Sequence, residues 1–258
     1  MRQQLHIFLT ALMFYTRIPC PPWVDHSAEY LNKATRYFPL MGWIVGGTAA
    51  LVLWGGATLG TVPVAVVLST IAGVWLTGAF HEDGFADVAD GYGGGWTAPK
   101  ILEIMKDSRV GAFGAISIML LILLKLAALI GLAEQDLYLS LYALWLMHSL
   151  SRLAATWMIF AYPYARADQE SKAKPVAQQM RLSDLLIANL WGAIPLGLGL
   201  YWLGWSILVV PVAMTAGFGY LAHLYLKWTK GYTGDGLGSV QQLTEVLGYL
   251  ALLAVIGW

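Results

Sequence analysis

The chain has 258 residues, 58% of them hydrophobic and 12% charged, with a mean hydropathy of +0.63 and 15 acidic residues balanced by 15 Lys and Arg. This composition excludes an ordinary soluble domain, and the lack of any basic run excludes nucleic acid as a partner. With Cys20 as the single cysteine there is no intramolecular disulfide framework or multi-cysteine cluster, so a metal site must use oxygen or imidazole ligands.

At the N-terminus the apolar stretch 5–16 is too short to cross a bilayer and is ended by Pro19, Pro21 and Pro22. It reads as a short interfacial helix with Arg17 at headgroup level, and no small-residue cleavage site follows it, so it is read as mature sequence. Apolar segments of roughly 20 residues, the length that spans the hydrocarbon as helix, fall at 39–59, 62–80, 110–131, 137–161, 184–203, 206–226 and 243–258. The expected fold is therefore all-α, a polytopic membrane bundle of about seven spans forming a single domain over 1–258. Lys and Arg gather in alternate connections: Arg2, Arg17, Lys33 and Arg36; Lys100, Lys106 and Arg109; Arg166, Lys172, Lys174 and Arg181; Lys227 and Lys230. Because basic loops are retained in the cytoplasm, this places the N-terminus and the polar loops inside, in a multi-pass inner-membrane protein.

The polar blocks also follow chain order. "FYTRIP" and "RYFPLMG" put Arg17 and Arg36 on the basic face, where each alone looks like an interfacial anchor. "HEDGFADVADGYGGG" begins at the end of the second expected span. If that helix continues past Phe80, Asp83, Asp87 and Asp90 project from one face beside Glu82, with Gly91 as the helix stop. Acids at a helix C-terminus repel each other and the helix dipole, so a compensating cation is expected; carboxylate oxygens suit a hard divalent ion, Mg²⁺ above all when phosphate completes the shell. The competing reading is a solvated helix end.

In "IMKDSRVGAFG", Asp107 or Ser108 can cap the third span, leaving an anion site to which Lys106 and the planar fork of Arg109 contribute; ordinary basic anchors are the alternative. Arg152 in "HSLSRLAATWMIFAYPYAR" lies inside a span, where an arginine faces the bundle interior or a polar cavity; it either pairs with an aspartate or binds substrate phosphate. Tyr164 and Arg166 close the same segment, Arg166 alone reading as a topogenic anchor and His148 as a packed histidine. In "KGYTGDGLGSVQQLTE", Ser239 and Gln242 read as a capping box, while Asp235 is either a turn residue or part of a loop whose amides approach a phosphate.

Taken together and in this order, these six blocks resemble the cobalamin synthase family, the membrane-bound adenosylcobinamide-GDP ribazoletransferases, over essentially the whole chain. The resemblance implies that α-ribazole or its 5′-phosphate displaces GMP from adenosylcobinamide-GDP with the help of Mg²⁺. It implies that Glu82, Asp83, Asp87 and Asp90 hold Mg²⁺ against the pyrophosphate, one aspartate taking the ribazole proton instead. Asp83, Asp87, Arg109 and Arg152 are then the catalytic candidates; Arg17, Arg36, Lys106, Ser108, Tyr164, Arg166 and Asp235 are the substrate-binding ones. Implied partners are the corrinoid, the ribazole, membrane lipid and further copies of the chain. The aspartate spacing is also similar to that of CDP-alcohol phosphotransferases, without their usual Arg and downstream acids, so a lipid phosphotransferase is one competing reading. An ion-coupled transporter is another, but it calls for carboxylates at the bilayer midplane rather than at a helix end.

Overall fold

The computed structural model describes residues 2–25, 27–165 and 180–256, and among these every regular element is a helix. In chain order these are α1 (Arg2–Tyr15), α2 (Ala28–Ala34), α3 (Phe38–Leu59), α4 (Val62–Thr77), α5 (Phe80–Gly94), α6 (Ala98–Ile104), α7 (Ala112–Gln135), α8 (Leu137–Ala161), α9 (Leu182–Leu203), α10 (Val209–Trp228) and α11 (Gly234–Ile256). Pro39, Pro63 and Pro99 sit in the first turns of α3, α4 and α6, where their fixed φ suits the helix and no N–H is lost from the ladder. Asp136 starts α8 by accepting from the N–H groups of Tyr138 and Leu139 at 2.8 and 3.2 Å.

The buried helix α8 packs against α3, α7, α9, α10 and α11. Side chains of α3, α4, α7, α8 and α11 build one apolar cluster; α1, α3, α5, α8, α10 and α11 build a second. A side chain at Gly42 of α3 would collide with the backbone of His148 and Ser149, so this glycine sets the close α3–α8 approach. Helix α7 turns apolar side chains outward while burying a charge: Ile116, Leu120 and Leu123 are exposed whereas Lys125 is buried. That arrangement, together with exposed Trp75, Tyr201 and Trp205, suits a molecule solvated by lipid.

By length and composition, four helical stretches can cross a bilayer: Ala28–Leu59, Ala112–Gln135, Leu182–Trp228 and Gly234–Ile256. The pair Val62–Thr77 and Phe80–Gly94 is a fifth, bent by 87°. The chain is thus multi-pass, with four to five of these candidates where hydropathy alone divides it into seven; one reason is that α9 and α10 run together through the 3-10 turn Gly204–Leu208.

The second expected span does not continue past Phe80. Gly78 takes a left-handed conformation (φ 69°, ψ 32°) and its N–H bonds the carbonyl of Trp75, while Ala79 N–H reaches back to Val74. This closes α4 with a Schellman motif. Ala79 is itself left-handed at φ 59°, a strained choice for a residue with a Cβ, at roughly 1–2 kcal/mol. The new helix then starts at Phe80, its first bond running from Asp83 N–H to Ala79 O.

Candidate active site

The bend relocates the acidic block. Glu82 and Asp83 occupy the first turn of α5, where the unpaired N–H groups favour negative charge; they are not at a helix C-terminus, and the repulsion expected there does not arise in that form. Gly91 is not the stop either. The helix runs to Gly94, and Gly91 is a buried contact where a Cβ would strike Met105.

The four carboxylates do not converge on one point. Asp83 is exposed and Asp87 half-buried one turn later. Glu82 turns inward and its Oε1 accepts from Gln242 Nε2 at 2.8 Å. Asp90 is engaged with α7: its Oδ2 accepts from Gly111 N–H at 2.7 Å and its Oδ1 from Gly114 N–H at 2.8 Å. Asp90 therefore caps α7 from another helix, in place of the Asp107 or Ser108 cap expected from sequence, and a Cβ at Gly111 or Gly114 would collide with it. Asp107 instead forms a local pair with Arg109, whose Nη2 donates to Oδ2 at 2.6 Å and whose Nε and backbone N–H also donate to this carboxylate. Those bonds hold the Asp107 carboxyl down at about 2. Arg109 is 87% exposed beside an open groove of about 540 Å³, with Lys106 and Ser108 also at the surface.

The start of α11 adjoins the Asp83–Asp87 face. Thr233 Oγ1 accepts from Gly236 N–H at 3.1 Å, so α11 begins at Gly234 and the Ser239–Gln242 capping box is not formed. Ser239 lies inside the helix, bonded to Gly236 O and to the Tyr225 hydroxyl. A Cβ at Gly84 would lie 2.8 Å from Asp235 O and 3.0 Å from Asp235 Cα, so α5 and α11 touch backbone to backbone at Gly84, the residue after Asp83. Pro163–Ala165 joins the same corner: Tyr232 N–H donates to Pro163 O at 3.0 Å and Ala165 N–H to Tyr232 O at 2.8 Å. Tyr164 is thereby brought beside the Asp235 loop, and Arg166 lies outside the described residues. Arg17 lies at the bend before α5, with its guanidinium against Gly78.

Two nominated arginines are occupied elsewhere. Arg36 forms a 2.5 Å ion pair with Asp184, both largely buried. Arg152, 1% exposed, pairs with none of the aspartates of α5: its Nη1 donates to His148 O at 2.9 Å and lies 3.0 Å from His148 Nδ1, with the guanidinium 5.7 Å over the Phe38 ring. Behind it lies a polar cluster that the sequence reading did not assemble. Lys125 of α7 is ion-paired with Glu245 of α11, and Glu245 Oε2 is 3.2 Å from His148 Nδ1. His81, Glu82, Lys125, His148, Arg152 and Gln242 border an enclosed cavity of about 10 Å³. The available signal was charge inside apolar segments, since an intramembrane Lys or Glu is costly unless it has a partner.

Among the described residues, no three His, Cys, Asp or Glu side chains converge as a ready-made metal cage. Mg²⁺ does not require one: it binds through one or two carboxylates while waters and substrate phosphates complete its octahedron. Exposed Asp83 and half-buried Asp87, at i and i+4 on one helix, fit that donor set; Glu82 and Asp90 face Gln242 and the start of α7.

The family described as cobalamin-5-phosphate synthase matches residues 7–253. The chain belongs to this family. A relative from Shewanella frigidimarina (strain NCIMB 400), named adenosylcobinamide-GDP ribazoletransferase, is 44% identical over 254 residues, covering 98% of this chain and 96% of its own length. Relatives of the same name from Shewanella baltica (strain OS155 / ATCC BAA-1091) and Shewanella sp. (strain ANA-3) are 41% and 42% identical over 253 residues, covering 98% of this chain and 95% of theirs. No solved structure matches the chain. Family membership makes the protein a transferase of cobalamin biosynthesis and favours neither a lipid phosphotransferase nor a transporter.

Proposed function

We propose that this chain is an adenosylcobinamide-GDP ribazoletransferase whose reacting face is formed by Asp83 and Asp87 of α5 with the Asp235 corner of α11. A ribose hydroxyl of α-ribazole, or of its 5′-phosphate, attacks the cobinamide-side phosphorus of the pyrophosphate. The new P–O bond forms as the bond to GMP breaks, and the hydroxyl proton passes to a carboxylate oxygen of one of the two aspartates. The observation that carries the reading is the pairing of whole-length family identity with two accessible carboxylates one helical turn apart.

Asp83 and Asp87 would hold Mg²⁺, which when bound supplies charge neutralisation for the pyrophosphate. The chain's own groups orient the substrates. Arg17 at the bend and Tyr164 beside the Asp235 loop flank the face, and Lys106, Ser108 and Arg109 line the approach from the α6–α7 loop. Arg166 completes the set as a phosphate contact. In this reading the seven hydropathy segments cross an inner membrane, the alternating Lys and Arg distribution puts the face in the cytoplasm, and lipid covers the apolar surface; the protomers associate as a homo-oligomer.

The test is GMP release by the protein purified in nanodiscs, with adenosylcobinamide-GDP, α-ribazole and Mg²⁺. Mg²⁺-dependent GMP and a new corrinoid carrying the ribazole are expected; no GMP from a folded preparation would sink the reading.

A further inference from the structure

Glu82 adjoins Asp83 in sequence, yet its surroundings are unlike those of a metal ligand. Gln242 Nε2 donates to Glu82 Oε1 at 2.8 Å and to Gln241 Oε1 at 2.9 Å; Gln241 Nε2 donates to Ser151 Oγ at 3.1 Å and to Glu245 Oε2 at 2.5 Å. Each amide thus spends both of its hydrogens, so neither has a spare donor. Glu245 closes it by pairing with Lys125 of α7 and contacting His148 of α8, which in turn holds Arg152. Formal charges within the cluster balance, Glu82 and Glu245 against Lys125 and Arg152, so no further ion is called for there. Gln241, Gln242 and Glu245 are all 3% exposed or less.

Helix α5 needs such an attachment. It follows an 87° bend at two left-handed residues, so α4 cannot set its direction through a continuous backbone ladder. Its direction must come from side contacts, and Glu82, in the first turn, is the residue through which the buried network reaches it.

We infer that Glu82 anchors the first turn of the reacting helix, and that Gln242, Gln241, Glu245 and Lys125 are positioning residues that fix Asp83 and Asp87 through it. The inference rests on Asp83 and Asp87 being the reacting face. Buried polar networks that join several helices favour one arrangement, and a reacting group displaced by about 1 Å can lose about 10²-fold in rate.

The experiment is a double-mutant cycle on the full chain in nanodiscs: Glu82→Leu, Gln242→Leu and both together. Each variant is assayed for GMP release, Mg²⁺ dependence and thermal unfolding. An anchor predicts that either single change lowers kcat about tenfold or more with KM within about twofold, and that the double variant is no slower than the singles. The Mg²⁺ concentration for half-maximal rate stays put in all three. Glu82→Gln, which keeps an acceptor for Gln242, recovers most of what Glu82→Leu loses. Nitroxides at Trp75→Cys and Trp96→Cys, exposed positions on α4 and just past α5, in a Cys20→Ser background, should give a narrow distance distribution that broadens with Gln242→Leu. Additive losses in the cycle overturn the inference. So does a raised Mg²⁺ requirement in Glu82→Leu, which would return Glu82 to the metal, and so does lowered thermal stability with kcat intact, which would leave a structural role alone. If the unmodified protein releases no GMP the transferase reading fails, and an unbroadened distance distribution then refutes the anchor by itself.

Discussion

On its outer side α5 presents Asp83, exposed, and Asp87, half-buried, while one residue away Glu82 is drawn into a cluster whose Glu245 is 0% exposed. The same residue types serve opposite ends. A carboxylate in contact with solvent is open to a cation and a substrate, whereas one taken from water must be paired at once, because an uncompensated buried charge is strongly destabilising. The helix-start position makes both possible: the first turn tolerates two acids, and the two diverge because neighbouring residues point about 100° apart on a helix.

The comparison breaks most sharply if the outer pair is neutralised. Asp83→Asn or Asp87→Asn should cut GMP release by about 10²- to 10³-fold, as removal of one charge-stabilising group does elsewhere, while thermal unfolding of the protein hardly moves. Equal loss of folding and activity would mean that these acids belong to the framework instead. The inner cluster should answer in the reverse sense. Lys125→Met or Glu245→Leu alone leaves a buried charge without its partner and should cost about 3–5 kcal/mol of stability, whereas the two together should cost much less. Thermal unfolding in nanodiscs reads both, and additive losses would show that the ion pair is not the unit.

The seam between the two sides is the glycine contact of α5 with α11. Gly84→Ala must push Asp235 away from a backbone it now touches, with overpacking of about 1–3 kcal/mol and a fall in kcat, since Asp235 sits at the reacting corner. Retained activity and stability in this variant would show that the corner is looser than the 2.8 Å approach implies.

Much of this was legible beforehand, in specific ways. The segment 137–161 coincides with α8, and 62–80 and 184–203 agree with α4 and α9 within a few residues, because a long apolar run marks a helix whether it faces lipid or, like α8, the interior. The helical spacing of Asp83, Asp87 and Asp90 was also right, since all three share α5. The bend was hidden because Gly and Ala are both common in membrane helices, and Ala is the best helix former; nothing local announces that Gly78 and Ala79 turn left-handed. The bonds of Asp90 are not legible in the sequence, because its partners, Gly111 and Gly114, are more than 20 residues away and their N–H groups leave no mark there. Lys125 and Glu245 stand out individually as charges in apolar surroundings, yet their pairing depends on how α7 and α11 pack, which spacing within either helix does not encode.

The smallest effect belongs to the exposed rim. Arg109 and Asp107 are held together in the α6–α7 loop by hydrogen bonds at 2.6–3.1 Å, but with the arginine 87% exposed the pair contributes little to folding. Arg109→Ala should therefore leave thermal unfolding unchanged and raise KM for the pyrophosphate substrate by about fivefold or less, with kcat nearly intact, as loss of a contact made equally in ground and transition states does. The pH dependence follows the same pair. The Asp107 carboxyl is held at about 2, below its ordinary value, so whatever the pair adds to stability is present in full above the ordinary carboxylate range and is lost as pH falls from that range through about 2. Substrate KM in the unmodified protein should thus show no step from Asp107 between pH 5 and pH 8. A kcat loss in Arg109→Ala as large as that of Asp83→Asn would instead move Arg109 from the rim to the reacting phosphates, and the division between exposed and paired charge would have to be redrawn to include it.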